Sequence, residues 1–335
     1  MCQRELLAAL AATLILVSQS STSPTHPVDL ATLTADADVI VVGRVTGLTE
    51  QGKGTLDLPG GSVPAEHFIG SLKVDRVLKG HLETELLPFE FSLPDMPTGL
   101  QGAAEGEYAV FFLKSAGKSF AFSDPVHPSL PAVPDAPVPS GKTLDRVTIT
   151  LGQVLNSGQA SMSDYVRVLD ALGRLRTALA GEVLRGALSR SDADLRLRIA
   201  VTLVARGDVA GLDVVENTLL HPGSTSPELL RDAAGCLAGL KDPKAIPFLA
   251  RLIETSNSEI RRGAAAALRQ TGSPSALEPL SHLLNERDPT TRYYAVIGLA
   301  EITHQDNWAP SFAEFLRDEG YYVSHWRTWA ELNLR

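Results

Sequence analysis

Along the chain, the apolar positions change their period near the middle. In the first half they run in short β-branched blocks or alternate with polar residues, which is the strand period. Asp38–Thr46, Phe68–Val77, Glu85–Phe91, Tyr108–Lys114 and Ser119–Phe122 are the predicted strands. Gly106-Glu107 and Gly117-Lys118 mark turns, and the glycine- and proline-rich stretch Gln51–Pro64 predicts a long loop. One or two helical turns over Val28–Thr34 precede the first strand. Five strands within a hundred residues predict a small antiparallel barrel or sandwich.

Prolines at 125, 128, 131, 134, 137 and 139 then interrupt every regular pattern between Asp124 and Lys142. Such a run cannot form a helix or a central strand, so it predicts an extended connector and a domain boundary. Beyond it the period becomes helical. Leu144, Val147, Leu151, Val154 and Leu155 share one face, and Ser161 or Ser163 caps a second helix striped by Tyr165, Val168, Leu169, Leu172 and Leu175.

From Asp242 to Ala300 the pattern repeats itself. Pro243, Ala245, Leu249 and Leu252 recur 31 positions later as Pro274, Ala276, Leu280 and Leu283, and Arg261, Ala264 and Leu268 recur as Arg292, Ala295 and Leu299. A fixed period of this length predicts stacked helix pairs, none able to bury its own apolar stripe alone. Units are expected at Val183–Val204, Val214–Leu240, Pro247–Gln270 and Pro279–Ile302, with an irregular fifth over Ala309–Leu334.

Over residues 182–335 this pattern resembles HEAT repeats, specifically the short bacterial variety found in phycobiliprotein lyases. Residues 284–299, Leu-Asn-Glu-Arg-Asp-Pro-Thr-Thr-Arg-Tyr-Tyr-Ala-Val-Ile-Gly-Leu, carry the resemblance best. Residues 30–125 resemble exported domains of the netrin/tissue-inhibitor class through Ala37–Val45, Val74–Gly80 and Gly106–Leu113. That resemblance implies an OB-like barrel. The N-terminal cysteine through which the inhibitors of that class act has no counterpart, so inhibition is not implied. The expected architecture is a small N-terminal β-barrel over 28–123, a connector over 124–142 and an α-solenoid over 143–335.

Composition adds two constraints. The chain of 335 residues carries a net charge of −9, which argues against a nucleic-acid partner. Arg4 followed by the apolar run Leu6–Val17 and by Ser18 and Ser20 is the pattern of an export signal over residues 1–20, cleaved after Ser20. Glu5 weakens the positive end and leaves an uncleaved anchor open. The mature chain would be periplasmic or extracellular, with no transmembrane segment.

No catalytic set emerges. Ser140–Thr143 ends like a phosphate loop but lacks its leading glycine, and Ser115 and Lys118 have Ser-x-x-Lys spacing on a turn. His221, His282, His304 and His325 fall in different units without a second ligand at metal spacing, so neither metal nor cofactor is expected. Arg196, Arg231, Arg261 and Arg292 open the second helices and read either as an anion ladder or as ties between units. Asp192 and Asp288 stand four residues before Arg196 and Arg292, which favours ties.

By elimination the sequence predicts a non-catalytic scaffold that binds a protein. On the 31-residue frame Arg231, Arg262 and Tyr293 share one outward position, and this row is the candidate binding stripe. Trp326 and Trp329, near the end of the chain, either cap the stack or dock a partner. Two alternatives remain open: an enzyme or chaperone like the phycobilin lyases, and a ligand- or protease-binding β-domain. Against the first, the concave positions Gly235, Ala265 and Ile297 are small or apolar.

Overall fold

A computed structural model describes residues 28–58, 61–95, 100–189 and 192–334. The expected export signal and the tether over 21–27 lie outside the described residues. Helix α1 (Leu30–Asp36) leads into a mixed sheet of six strands: β1 (Val39–Leu58), β2 (Gly61–Lys79), β3 (Leu86–Pro94), β4 (Tyr108–Ala116), β5 (Ser119–Phe122) and β6 (Ser129–Pro131). Their order is β1-β2-β3-β5-β4-β6, with β3 and β5 parallel and the other pairs antiparallel. β1 also pairs with β4, so the pairings run from β1 through β2, β3, β5 and β4 back to β1.

β1 explains its own sequence. Val39, Val41 and Val45 point into one apolar cluster with Phe89, Phe91, Phe111 and Phe122, while Ile40 and Val42 point into another with Val110, Phe112 and helix residues. A strand buried on both faces has no polar side to show, hence the unbroken apolar run. Gly70 faces the ring of Phe89, and a Cβ there would sit 2.4 Å from it, so the ring occupies the space a side chain would need.

Among the described residues, the loop expected over Gln51–Pro64 is instead strand. β1 and β2 continue pairing out to Leu58 opposite Gly61, so the hairpin projects as a two-stranded arm beyond the part of β2 that β3 covers. Its residues are mostly exposed, which is why no apolar alternation announced it. Gly52, at a positive φ of 121°, sits where the register shifts, an irregularity that reads locally as loop.

Thirteen α-helices are described. After α1 come α2 (Thr143–Ser157), α3 (Met162–Arg174), α4 (Ala178–Ala187), α5 (Ala193–Ala205), α6 (Leu212–Leu220) and α7 (Pro227–Gly235). α8 (Ile246–Leu252), α9 (Ser258–Gln270), α10 (Leu277–His282), α11 (Pro289–Thr303), α12 (Phe312–Arg317) and α13 (Glu319–Asn333) complete the chain. Short 3-10 turns introduce α6, α8 and α10, each opened by an Asp or Ser side chain that accepts from the backbone two residues on. Ser161 caps α3 in a capping box with Asp164.

One apolar cluster spans the proline-rich boundary. Ile40, Leu78, Phe112 and Leu130 from the strands meet Leu30 and Leu33 of α1, Leu151 and Leu155 of α2, and Val168 and Leu172 of α3. The proline-rich segment itself is held by donors. Arg76, only 6% exposed, donates to the carbonyls of Val133 at 2.7 Å and Ala136 at 3.0 Å. Gln153 donates to Pro137, and Arg146 bridges Pro139 to Val77 and Leu78 of β2. Prolines cannot donate, but their carbonyls still accept, and the flanking arginines use that.

Arg76→Met would keep the apolar stem and leave two half-buried carbonyls without their charged donor. A stability loss of about 2–3 kcal/mol in urea unfolding is expected, together with faster proteolysis between residues 124 and 142.

Candidate functional site

The side chains that could act lie on the face built by the second helices α3, α5, α7, α9 and α11. The arginines there serve first as ties. Arg261 of α9 pairs with Glu286 at 3.0 Å and Arg262 with Asp288 at 3.0 Å, both in the next unit. Arg269 pairs with Glu301 of α11, Arg292 of α11 with Glu319 of α13, and Glu216 of α6 with Arg251 of α8. Asp192 and Asp288 are the N-caps of α5 and α11. Pairs this exposed are individually weak, each worth about 0–1 kcal/mol, so their value is in setting the register of neighbouring units.

Asp288 carries several of these duties at once. It caps α11 through Thr291 and pairs with Arg262. Burial alone would raise its carboxyl, but hydrogen bonds from Thr291 and Arg262 outweigh that and hold it below its ordinary value of 3.8.

The predicted stripe of Arg231, Arg262 and Tyr293 is therefore not one row of free side chains. Arg262 is engaged by Asp288. Tyr293 is half-buried, with its ring 5.0 Å from that of Phe312 and 5.5 Å from that of Phe315, because the last unit folds over it. Arg231 alone of the three is exposed and has no hydrogen bond or ion pair among the described residues. Of the concave positions, Ala265 and Ile297 are buried, and Gly235 is exposed.

The last unit gathers the aromatic residues. Trp326 is fully buried, donating its indole N–H to the Trp308 carbonyl at 3.4 Å, and Trp329 packs edge-on against it at 5.5 Å. His325 stacks flat on Trp308, and burial lowers its pKa. Tyr321 is 56% exposed, and Phe312, Leu316 and Leu332 are also exposed nearby in sequence.

Arg231 opens onto a groove of about 570 Å³ between α3, α5 and α7. Its wall includes Arg198 of α5, whose Nε is shielded from solvent and unpartnered. Arg206 lies there too, but its guanidinium is spent on α3, donating to the carbonyls of Leu172 at 2.8 Å and Gly173 at 3.0 Å, and on Thr177. It closes off the helix carbonyls that α3 leaves without a partner. Cys236 also lines the groove, and burial pushes its thiol up to about 12, so it stays protonated at neutral pH.

Arg198 escaped the sequence reading. The loop between α6 and α7 lengthens the spacing to Arg231 by two residues over the 31-residue frame, so the two never fell on one row. Among the described residues no three His, Cys, Asp or Glu side chains are placed to hold a metal ion. No described helix is long and apolar enough to cross a membrane.

Comparison with known proteins agrees with the helical half. A family model of HEAT repeats matches residues 219–300, covering α7 to α10 and most of α11. No curated relative matches the chain. Among solved structures, an engineered protein from a structural genomics consortium matches with 20% identity over 56% of this chain and 87% of its own, at a TM-score of 0.29. A structure described by its lipid–protein interactions in lipovitellin matches with 12% identity over 74% of this chain and 36% of its own, at a TM-score of 0.35. The chain thus spans about a third of that second structure, and at these scores neither likeness carries an argument. The helical region has HEAT-repeat character, and repeats of this kind point to a protein-interaction scaffold.

Trp326→Ala should cost about 3–5 kcal/mol in unfolding experiments, as a fully buried aromatic does. Trp329→Ala should cost clearly less, because its ring is only half-buried. Asp288→Ala should cost about 1–2 kcal/mol at neutral pH, from the lost cap and ion pair. Since folding depresses the Asp288 pKa, its contribution is present above 3.8 and is lost as the pH falls through the lower folded value. The difference between wild type and variant should therefore shrink below pH 3.8, measured as urea midpoints across an acid series.

Proposed function

We propose that this chain is an exported, non-catalytic scaffold that holds a partner protein on the second-helix face of its HEAT-type stack. The observation that carries the reading is the groove between α3, α5 and α7, the place on that face where arginines remain outside the inter-unit ties. Export rests on the Arg4 and Leu6–Val17 pattern. The absence of a catalytic role rests on the chemistry of the groove: a protonated thiol and guanidinium groups, with Asp170 tied to Arg174.

The N-terminal sheet belongs to this reading as an OB-like barrel of the netrin/tissue-inhibitor type. The return of the pairings to β1 and the parallel β3–β5 pair support it. Its outer face is taken up by α1, α2 and α3, so the barrel acts as the cap of the solenoid's first end. A partner site on the N-terminal sheet is the second reading, supported by the exposure of the β1–β2 arm and by Ile69, 40% exposed where β2 pairs with β3. The lyase-like alternative finds less support, since the concave positions Ala265 and Ile297 are buried instead of lining a chromophore cleft.

The test uses the full-length chain as bait against proteins of its own compartment, comparing wild type with Arg231→Glu and Ile69→Ser. A partner lost with Arg231→Glu and kept with Ile69→Ser is the expected result. The reverse result moves binding to the N-terminal sheet. Recovery of nothing by any of the three ends the scaffold reading.

A further inference from the structure

Among the described residues of this acidic chain, the groove between α3, α5 and α7 gathers positive charge that is not all spent. Five arginines and two aspartates contribute to its lining, against a net charge of −9 for the whole sequence. Three of the five have structural tasks. Arg174 pairs with Asp170 at 2.9 Å, Arg176 donates to the Arg206 carbonyl at 3.2 Å, and Arg206 itself closes the end of α3. Arg198 and Arg231 have no such task. Neither makes an ion pair among the described residues, and the Arg198 Nε is buried without an acceptor. A shielded guanidinium N–H without a partner is costly to leave so, which makes Arg198 receptive to an incoming acceptor oxygen.

Leu169 and Leu229, both nearly fully buried, lie at the groove's base, with Val201 half-buried and Val166 42% exposed along its edge. Apolar surface beside two free guanidinium groups asks for a ligand that is both apolar and anionic. Asp170 and Asp232 in the same lining would repel a continuous run of phosphates, and so would the negative charge of the chain at large. A single carboxylate set between apolar side chains incurs far less of both penalties and accepts the bidentate pairing that guanidinium groups favour. The volume, about 570 Å³, suits a short extended stretch rather than a folded surface.

We infer that this groove takes an extended segment of the partner protein, with a glutamate or aspartate carboxylate seated between Arg198 and Arg231 and an adjacent apolar side chain against Val201 and Val166. The inference rests on the scaffold reading and adds the partner's chemistry to it.

The probe is a fluorescein-labelled, otherwise uncharged peptide with one glutamate set between leucines, and the same peptide with glutamine in place of that glutamate is its control, both read by fluorescence anisotropy on the full-length protein. The glutamate peptide should bind wild type at least about tenfold more tightly than the glutamine peptide, as expected for one charge-assisted contact, and should weaken with salt. Arg198→Gln/Arg231→Gln should lose about that same tenfold. Its melting temperature should stay unchanged, because neither side chain is tied to the fold. Arg198→Lys/Arg231→Lys, which keeps charge but not the planar fork, should fall between. Equal binding of the two peptides by wild type, absence of binding by either, or unchanged binding by the glutamine variant overturns the inference. So does displacement of bound peptide by leucine amide and not by glutamate. If a partner is still captured and still lost with Arg231→Glu while the glutamate peptide fails, the scaffold reading stands and the carboxylate chemistry alone is wrong.

Discussion

A helix pair buries one apolar face within itself and leaves the other for a neighbour, and every boundary of this molecule answers that demand. In the middle of the stack the neighbour is another pair, and the core runs continuously from Leu197 to Trp326. At the two ends no such neighbour exists. Strands and α1 cover the first end, through Ile40, Leu78, Phe112 and Leu130, and the aromatic last unit covers the other through Trp326. What looks in sequence like two domains and a connector is therefore one sheet and one helical stack sharing apolar side chains.

That shared core sets the terms for the polar groups around it. Apart from β6, which pairs with β4, the proline-rich segment has to cross from sheet to helices without a regular hydrogen-bond pattern, and its carbonyls would be costly to bury unpaired. Arg76, Arg146 and Gln153 satisfy them from β2 and α2, the two elements the segment lies between. The same economy of donors appears further on, where Arg206 of one unit closes the helix end of the unit before it. Arg261, Arg262, Arg269 and Arg292 of the second helices are spent on carboxylates of the next unit. Arg198 and Arg231 stand out because they are not.

Sequence and structure parted at particular places. The arm over Gln51–Pro64 was hidden because both of its faces are exposed, so no alternation of apolar and polar side chains marked it as strand. The stripe of Arg231, Arg262 and Tyr293 was legible as a periodic row, but periodicity reports where a side chain starts and not what reaches it. Asp288 arrives from the next unit's cap, and Phe312 and Phe315 arrive from the irregular last unit, which does not obey the 31-residue frame.

The sequence by itself determined the two periods, the capping residues, the helix pairs and their approximate ends, because these depend on neighbours within one or two turns. It also marked the first strand through the β-branched run Val39–Val42, though its burial on both faces came only with the fold. Packing across the fold settles that the sheet and the first helices share a core, and that Arg76, Arg146 and Gln153 pin the proline-rich connector. It alone decided which arginines are left unspent. Those outcomes depend on pairs such as Arg76 with Val133 or Arg262 with Asp288, brought together across intervals set by loop length and packing, and no local pattern in the chain encodes them.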